Sequence, residues 1–327
     1  MKAKWTNSVN ITGKIFNLGS GFRELQVKVS GPNSKHPGTR FIQGEMNIAV
    51  DKDCNNIIPV NYQYVPEFWP AKDGGEPREN ANFKALERII NEAMVCERVG
   101  VEEAAQVRIS GDVASNDFWN AEGDLISAKQ INGGFIHDAY GKVPERAATF
   151  KMDCILTKCI EREFENGDPS VVILGGYTFN FRNDLVPFEV NVRSEGGKNY
   201  FLDQDISSKT PMVTTIEGDI VNATIKREII KESAFGEPQV DVVETSHRSW
   251  DVVWAAPEPM EWDDDETITK NEMKQKIQDR ENMLAEEKKK RDEYKANKTP
   301  NAFHESKTTV KPKAKVVIED DDDDFDF

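Results

Sequence analysis

The nine residues from Glu319 to Phe327 set seven side-chain carboxylates around two phenyl rings, Phe325 and Phe327, with the α-carboxylate added on the last. Carboxylates at that density pair with cations or take the place of phosphates, and a phenyl ring in a solvated stretch gains free energy only where a pocket receives it. An acidic run by itself serves solubility; the two rings point instead to docking. Asp322, Asp323, Asp324, Phe325, Asp326 and Phe327 are therefore the expected partner-binding residues. Covalent or acid–base chemistry finds no comparable grouping. There is no phosphate-cradling Gly-x-x-x-x-Gly-Lys-Ser/Thr loop, no Gly-x-Ser-x-Gly elbow and no His-Glu-x-x-His helix. Gly19-Ser20-Gly21 lacks the third glycine and the following helix of a dinucleotide loop and reads as a hairpin turn. Cys54, Cys96, Cys154 and Cys159, with the scattered His36, His137, His247 and His304, make no metal-ligand spacing. The 58 Asp and Glu residues are too many for any one pair to stand out as a two-metal site. No catalytic residue, metal or cofactor is expected, and the chain reads as a non-enzyme.

Charge restricts the binding chemistry further. The chain carries a net −16 over 327 residues, of which −7 falls on residues 258–327 and −9 on residues 1–257. A body this acidic is not a generally basic nucleic-acid binder, so any such site must be a local cationic strip. No N-terminal apolar leader and no long apolar run occur. Together with the unpatterned thiols, this gives a cytoplasmic expectation (host cytoplasm for a phage-encoded chain), without a membrane partner.

The elements that would position these groups are mainly strands. Val9 to Phe16 and Leu25 to Val29 alternate about the Gly19–Gly21 turn; Arg40 to Val50 and Ile57 to Val65 follow across the turn-rich 51–56. The period then changes. Phe83, Leu86, Ile89, Ile90, Ala93 and Met94 form a helical stripe, with Asn80 or Asn82 as cap and Gly100 as stop. Strands return at Val107 to Val113 and Leu125 to Ile136, around the Asn120–Gly123 turn. Strands, then a helix, then two strands give the order of an OB-fold, a five-stranded Greek-key barrel with its helix between strands three and four. Ile11-Thr12-Gly13-Lys14-Ile15, Ile109-Ser110-Gly111-Asp112-Val113 and Ile216-Glu217-Gly218-Asp219-Ile220 repeat a glycine between β-branched residues, the mark of a bulge or bend at which a small barrel closes.

The expected organisation is an OB-like barrel over 1–145, followed by a second β-domain, barrel or sandwich, over 146–257. Its strands are Phe150 to Ile160, Val171 to Phe181, Val186 to Val192, Met212 to Ile230 and Val240 to Trp254, with no helix stripe among them. A charged helical segment over 258–297 carries a possible capping box in Thr269 and Glu272. Its few apolar residues (Met273, Ile277, Leu284) make it a solvated single helix. Residues 298–327, rich in Lys, Pro, Thr and Asp, are expected to be disordered.

The Asp-rich end with its Phe residues resembles the C-terminal tips of single-stranded DNA-binding proteins of bacteria and tailed phages; Asp326, where the bacterial tip has proline, looks like the phage variety. The resemblance covers about nine residues and implies an OB-fold that coats single-stranded DNA in replication, recombination or repair, with a tip that recruits other proteins of those processes. Sequence-tolerant binding of a single strand needs rings for the bases and cations for the phosphates. Arg23, Lys28, Lys35, Arg40, Tyr62, Tyr64, Trp69, Trp119 and Lys129 are the candidates. Tyr62 and Tyr64, two apart, are expected on one sheet face, and Trp119 in a polar turn without a core. Phe179, Phe181 and Arg182 are secondary candidates. The alternatives are a structural or assembly protein of a phage particle, built of β-sandwiches, and a recombination accessory protein.

Overall fold

The computed structural model describes residues 5–69, 75–120, 122–164, 169–231, 239–262 and 267–297; the acidic segment with Asp322 to Phe327 lies outside them. Strand β1 (Asn7–Asn17) buries Val9, Ile11 and Ile15 at period two. After β2 (Gln26–Val29) come β3 (Arg40–Ala49) and β4 (Ile57–Pro66), a short ladder of β5 (Phe68–Trp69) and β6 (Arg78–Glu79), helices α1 (Ala81–Glu92) and α2 (Cys96–Val99), and the hairpin of β7 (Gln106–Trp119) and β8 (Leu125–Asp138). Pairing runs β1–β3–β4–β8–β7 and back to β1, with β4 and β8 parallel and every other pair antiparallel. That closed Greek-key circuit, with its helix between the third and fourth barrel strands, is an OB-fold. The stripe of α1 puts Phe83, Leu86 and Ile89 into the core. Asn80 caps it, its Oδ1 accepting the Asn82 N–H at 3.1 Å. The helix ends before Gly100, however: Ala93 takes the left-handed conformation (φ 46°), and Gly100 closes the single turn of α2.

Strands β9 (Ala148–Arg162), β10 (Val171–Phe179), β11 (Leu185–Val192), β12 (Met212–Lys231) and β13 (Gln239–Ala255) repeat the circuit. Their order is β9–β10–β11–β13–β12 and back to β9, with β11 and β13 parallel. The second β-domain is thus a barrel, and it too has its helix. Helix α3 (Glu195–Leu202) sits between the third and fourth strands and corrects the expectation of a helix-free stretch. Gly196 and Gly197 weaken its propensity, and only Lys198 and Phe201 are buried, so no stripe announces it. The Ser194 hydroxyl, accepting the Gly197 N–H at 3.3 Å, and the Phe201 anchor hold it.

The two barrels share a local two-fold axis, and the register defines it. Val9 faces Gly111 on β7, and Phe150 faces Gly218 on β12, so Val9 and Phe150 are equivalent positions. Ile11 and Met152 correspond in the same way, facing Ile109 and Ile216. Strands β1 and β9 pair antiparallel with Val9 opposite Phe150, flanked by Ile11–Ala148 on one side and Asn7–Met152 on the other. Those flanking pairs are mates, and the axis passes between Val9 and Phe150. The contact is of the isologous kind found in symmetric dimers, here within one chain. Residues 1–281 accordingly form one compact unit.

Two of the three repeated glycines mark equivalent bulges. The β7–β8 register shifts at Ser110/Gly111 and the β12–β13 register at Glu217/Gly218. A Cβ at Gly111 would lie 2.1 Å from the Asn132 carbonyl oxygen, and one at Gly218 2.2 Å from that of Asp251. In each barrel the extra residue is on the fifth strand, Gly134 in one and Val253 in the other, and on the fourth strand opposite it only glycine fits.

Helix α4 (Lys270–Asn297) starts with the anticipated capping box: the Thr269 N–H donates to Glu272 Oε2 at 3.0 Å, and the Glu272 N–H to Thr269 Oγ1 at 3.1 Å. Its first turns are not solvated as expected. Met273 is buried with Ile268 against Ile155, Phe179, Leu185 and Val213 of the second barrel. Residues from 282 onward make a separate unit. No described helix is long and apolar enough to cross a membrane.

Candidate nucleic-acid interface

Oligonucleotide-binding barrels use the face of their second and third strands and the loops joining strands one to two and four to five. Here the two such faces, β3–β4 and β10–β11, line one open groove of about 1040 Å³. Its lining follows the local two-fold. Asn61 pairs with Asn132, and Asn191 with Asp251, at matching steps of the parallel ladders, so Asn61 and Asn191 are mates. Lys129, opposite Ser115, corresponds to Arg248, opposite Asn222; Ile131, opposite Val113, corresponds to Trp250, opposite Ile220. All six line the groove.

Each barrel also reaches across it. From β8, Lys129 Nζ donates to the Glu189 carbonyl oxygen and lies 4.7 Å from the centre of the Trp250 ring. From the second barrel, Asn222 donates to the Ile57 carbonyl at 2.5 Å and receives Asn56 Oδ1 on its own N–H at 2.8 Å. The Thr224 N–H reaches the Asn55 carbonyl at 2.7 Å. On the β7–β8 arm, Asp117 takes Arg280 Nη2 on both carboxylate oxygens at 2.8 Å. Both arms are thus pinned to the opposite half of the unit.

The groove's charge departs from that of the chain. Arg23, Lys28, Lys129, Arg162 and Arg248 face it with two acids, Glu45 and Glu189. Arg23 meets Glu45 at 3.8 Å, and Lys28 donates to Gln43 Oε1 at 3.3 Å. Burial pushes the Lys129 ammonium down from its ordinary 10.5 to about 8, although Glu189 and Asp251 oppose the change. Phe22, 87% exposed, and Phe118, 43% exposed, present rings on the first barrel's side, and Trp250 on the second's.

Of the nine DNA-binding candidates, Arg23, Lys28 and Lys129 come together in this groove with an unforeseen set: Phe22, Phe118, Arg162, Arg248 and Trp250. Tyr62 lines it too, but as core. Its side chain is 1% exposed, its ring lies against Gly133, its hydroxyl has no partner among the described residues, and burial pushes that hydroxyl far up. Tyr64 does not share its face. Between the Gly44–Tyr62 and Ile42–Val65 pairs, two residues of β4 oppose one of β3, and that bulge turns Tyr64 out to stack on Phe41 at 4.8 Å. Arg40 is engaged by Glu67 at 2.7 Å and by Glu87, and covers the Phe83 ring; its charge holds α1 to the barrel. Trp119 is not in a turn but is the last residue of β7, paired with Leu125 and half-buried. Trp69, exposed, pairs with Arg78 in the β5–β6 ladder, and Lys35 lies exposed in the 31–38 loop. Phe179 is core, whereas Phe181 is exposed beneath Arg182. No cluster of His, Cys, Asp and Glu among the described residues suits a metal.

The YorF family model matches residues 22–290, and the chain belongs to that family. Two solved structures of the single-stranded DNA-binding protein of Thermus aquaticus, the wild type and a deletion mutant, are similar at 13% identity, over 79% of this chain and 96% of theirs. Their TM-scores are 0.43 and 0.42 respectively. No curated protein matches the sequence.

Proposed function

We propose that this YorF-family chain is a non-enzymatic single-stranded DNA-binding protein whose site is the groove between its barrels. One observation carries the reading: five cations against two acids, interleaved with aromatic rings, rim a groove that also takes in the strand faces such barrels use, in a chain of net −16. The cations meet phosphates; Phe22, Phe118 and Trp250 meet bases, at roughly 1–3 kcal/mol per stacked base. Contact through backbone and base faces makes the binding tolerant of sequence, as coating DNA in replication, recombination or repair requires. The acidic segment with Phe325 and Phe327 recruits other proteins of those processes, a role that rests on the sequence. The first test is titration of oligo-dT against the intrinsic tryptophan fluorescence, beside a duplex of equal length. Binding is expected to weaken with salt by about 0.7 in log–log slope per phosphate neutralised. Equal affinity for duplex, or no binding at low salt, contradicts the function. For the recruiting role, a chain lacking residues 319–327 is expected to keep its DNA binding and lose its partners in a pull-down; unchanged partners contradict that part.

A further inference from the structure

The groove has a two-fold axis and a DNA strand has a direction. Asn61 and Asn191, Lys129 and Arg248, and Ile131 and Trp250 are mates across that axis. Whichever direction of travel the β3–β4 face prefers, the axis imposes the reverse on the β10–β11 face. A single straight strand therefore meets one half in the favoured sense and the other half backwards. Each half carries its own phosphate partners: Arg23 and Lys28 on the first barrel, Arg162 and Arg248 on the second. Each also carries a ring for a base, Phe118 on one side and Trp250 on the other.

From this we infer that the groove holds two tracts of single-stranded DNA side by side in opposite directions, one on each barrel. The inference rests on the proposed single-strand binding and deepens it. The tracts come either from one strand folded back on itself or from two strands. In the second case the protein presents complementary strands in the antiparallel sense that base pairing demands, and so favours their annealing. The β1–β9 pairing fixes this geometry, because it holds the two faces in their two-fold relation within one chain. The mates are not chemically identical. Lys129 is engaged with Glu189 and Trp250, whereas Arg248 is exposed, so the second barrel's tract is expected to bind first.

The test uses the full chain and oligo-dT of about ten nucleotides, within the roughly 4–16 that one such barrel covers. Two oligonucleotides per chain are expected. With a donor dye at the 5′ end of one, energy transfer is expected to be higher to an acceptor at the 3′ end of the other than to one at its 5′ end. Arg248→Glu and Lys28→Glu, at surface positions where the fold survives, are each expected to reduce the stoichiometry from two to one. A longer oligo-dT with dyes at both ends separates the two sources: transfer that rises at one DNA per chain marks fold-back, and two strands per chain mark separate capture. One short oligonucleotide per chain, or higher transfer between the two 5′ ends, overturns the antiparallel arrangement and leaves single-strand binding standing. Failure of every oligonucleotide to bind overturns both.

Discussion

Equivalent places in the two barrels carry the same backbone device and different side-chain fates. Both have a Gly-Asp step on the fourth strand where the fifth bulges, Gly111-Asp112 and Gly218-Asp219. Asp219 receives Arg146 at 2.7 Å. Among the described residues Asp112 has no such cation and one of its oxygens is without a partner; Asn132 steadies it, and burial pushes the carboxyl up to about 6. The same holds on the axis, where the first barrel places Val9 and the second Phe150, and in the groove, where Ile131 and Lys129 stand opposite Trp250 and Arg248. Closure of a small barrel demands the glycines. Where the halves differ, one backbone frame carries side chains of different size and charge at mated positions.

The largest expected effect is at the axis. Phe150→Ala should cost about 3–5 kcal/mol, well above Val9→Ala, because the ring packs on Gly218 and stacks with Trp250 at 5.3 Å. Chemical denaturation measures both, and equal losses would dissolve the contrast. Gly111→Ala and Gly218→Ala should each cost about 1–3 kcal/mol, because the added methyl meets a carbonyl oxygen. A thermal melt unchanged by either breaks the equivalence of the bulges.

Asp112→Asn should stabilise the fold by roughly 1–2 kcal/mol at pH 7, whereas Asp219→Asn should lose about 1 kcal/mol or less of a partly exposed pair. The sign for Asp112 follows from its raised carboxyl. Ionisation is disfavoured in the folded chain, so this group costs stability as pH rises from about 4 to about 6, and the gain from Asn should vanish below that window. An Asp112→Asn gain that persists at pH 3 would place its cause elsewhere.

The effect at Lys129 is read on pH. Its ammonium is held near 8, so it loses charge in the folded chain before an unfolded lysine does, and its penalty to stability fades as pH rises from about 8 to 10.5. DNA affinity should move the other way, falling as pH rises through 8, with a salt slope lower by about 0.7 for one lost phosphate partner. Lys129→Arg should remove that pH dependence; titrations at pH 7 and 9 decide it.

Local periodicity made much of this fold legible. The alternation of β1, the stripe Phe83–Leu86–Ile89, the Thr269–Glu272 box and the repeated glycines all express contacts within a few residues or a backbone constraint written as one residue type. Helix α3 was not legible, because Gly196 and Gly197 sit where helix formers belong and tertiary anchoring of Phe201 supplies the difference. A single bulge opposite Gln43 undid the pairing of Tyr62 with Tyr64, since side-chain direction in a strand depends on every preceding register step. The groove was half legible. Arg23, Lys28 and Lys129 are legible as cations on or beside strands, but Arg162, Arg248 and Trp250 join them only through the β1–β9 pairing, which no local pattern records. Phe22 and Phe118 did leave a signal: each is a large ring in a polar stretch with no alternation to bury it.

The most direct test of the account is photo-crosslinking of the full chain to oligo-dT, with the attached peptides mapped. Crosslinks on both walls of the groove, at Phe22 or Phe118 on the first barrel and at Trp250 on the second, are the expected result. Crosslinks confined to the exposed rings Phe135 and Tyr140, which do not line the groove, would contradict it.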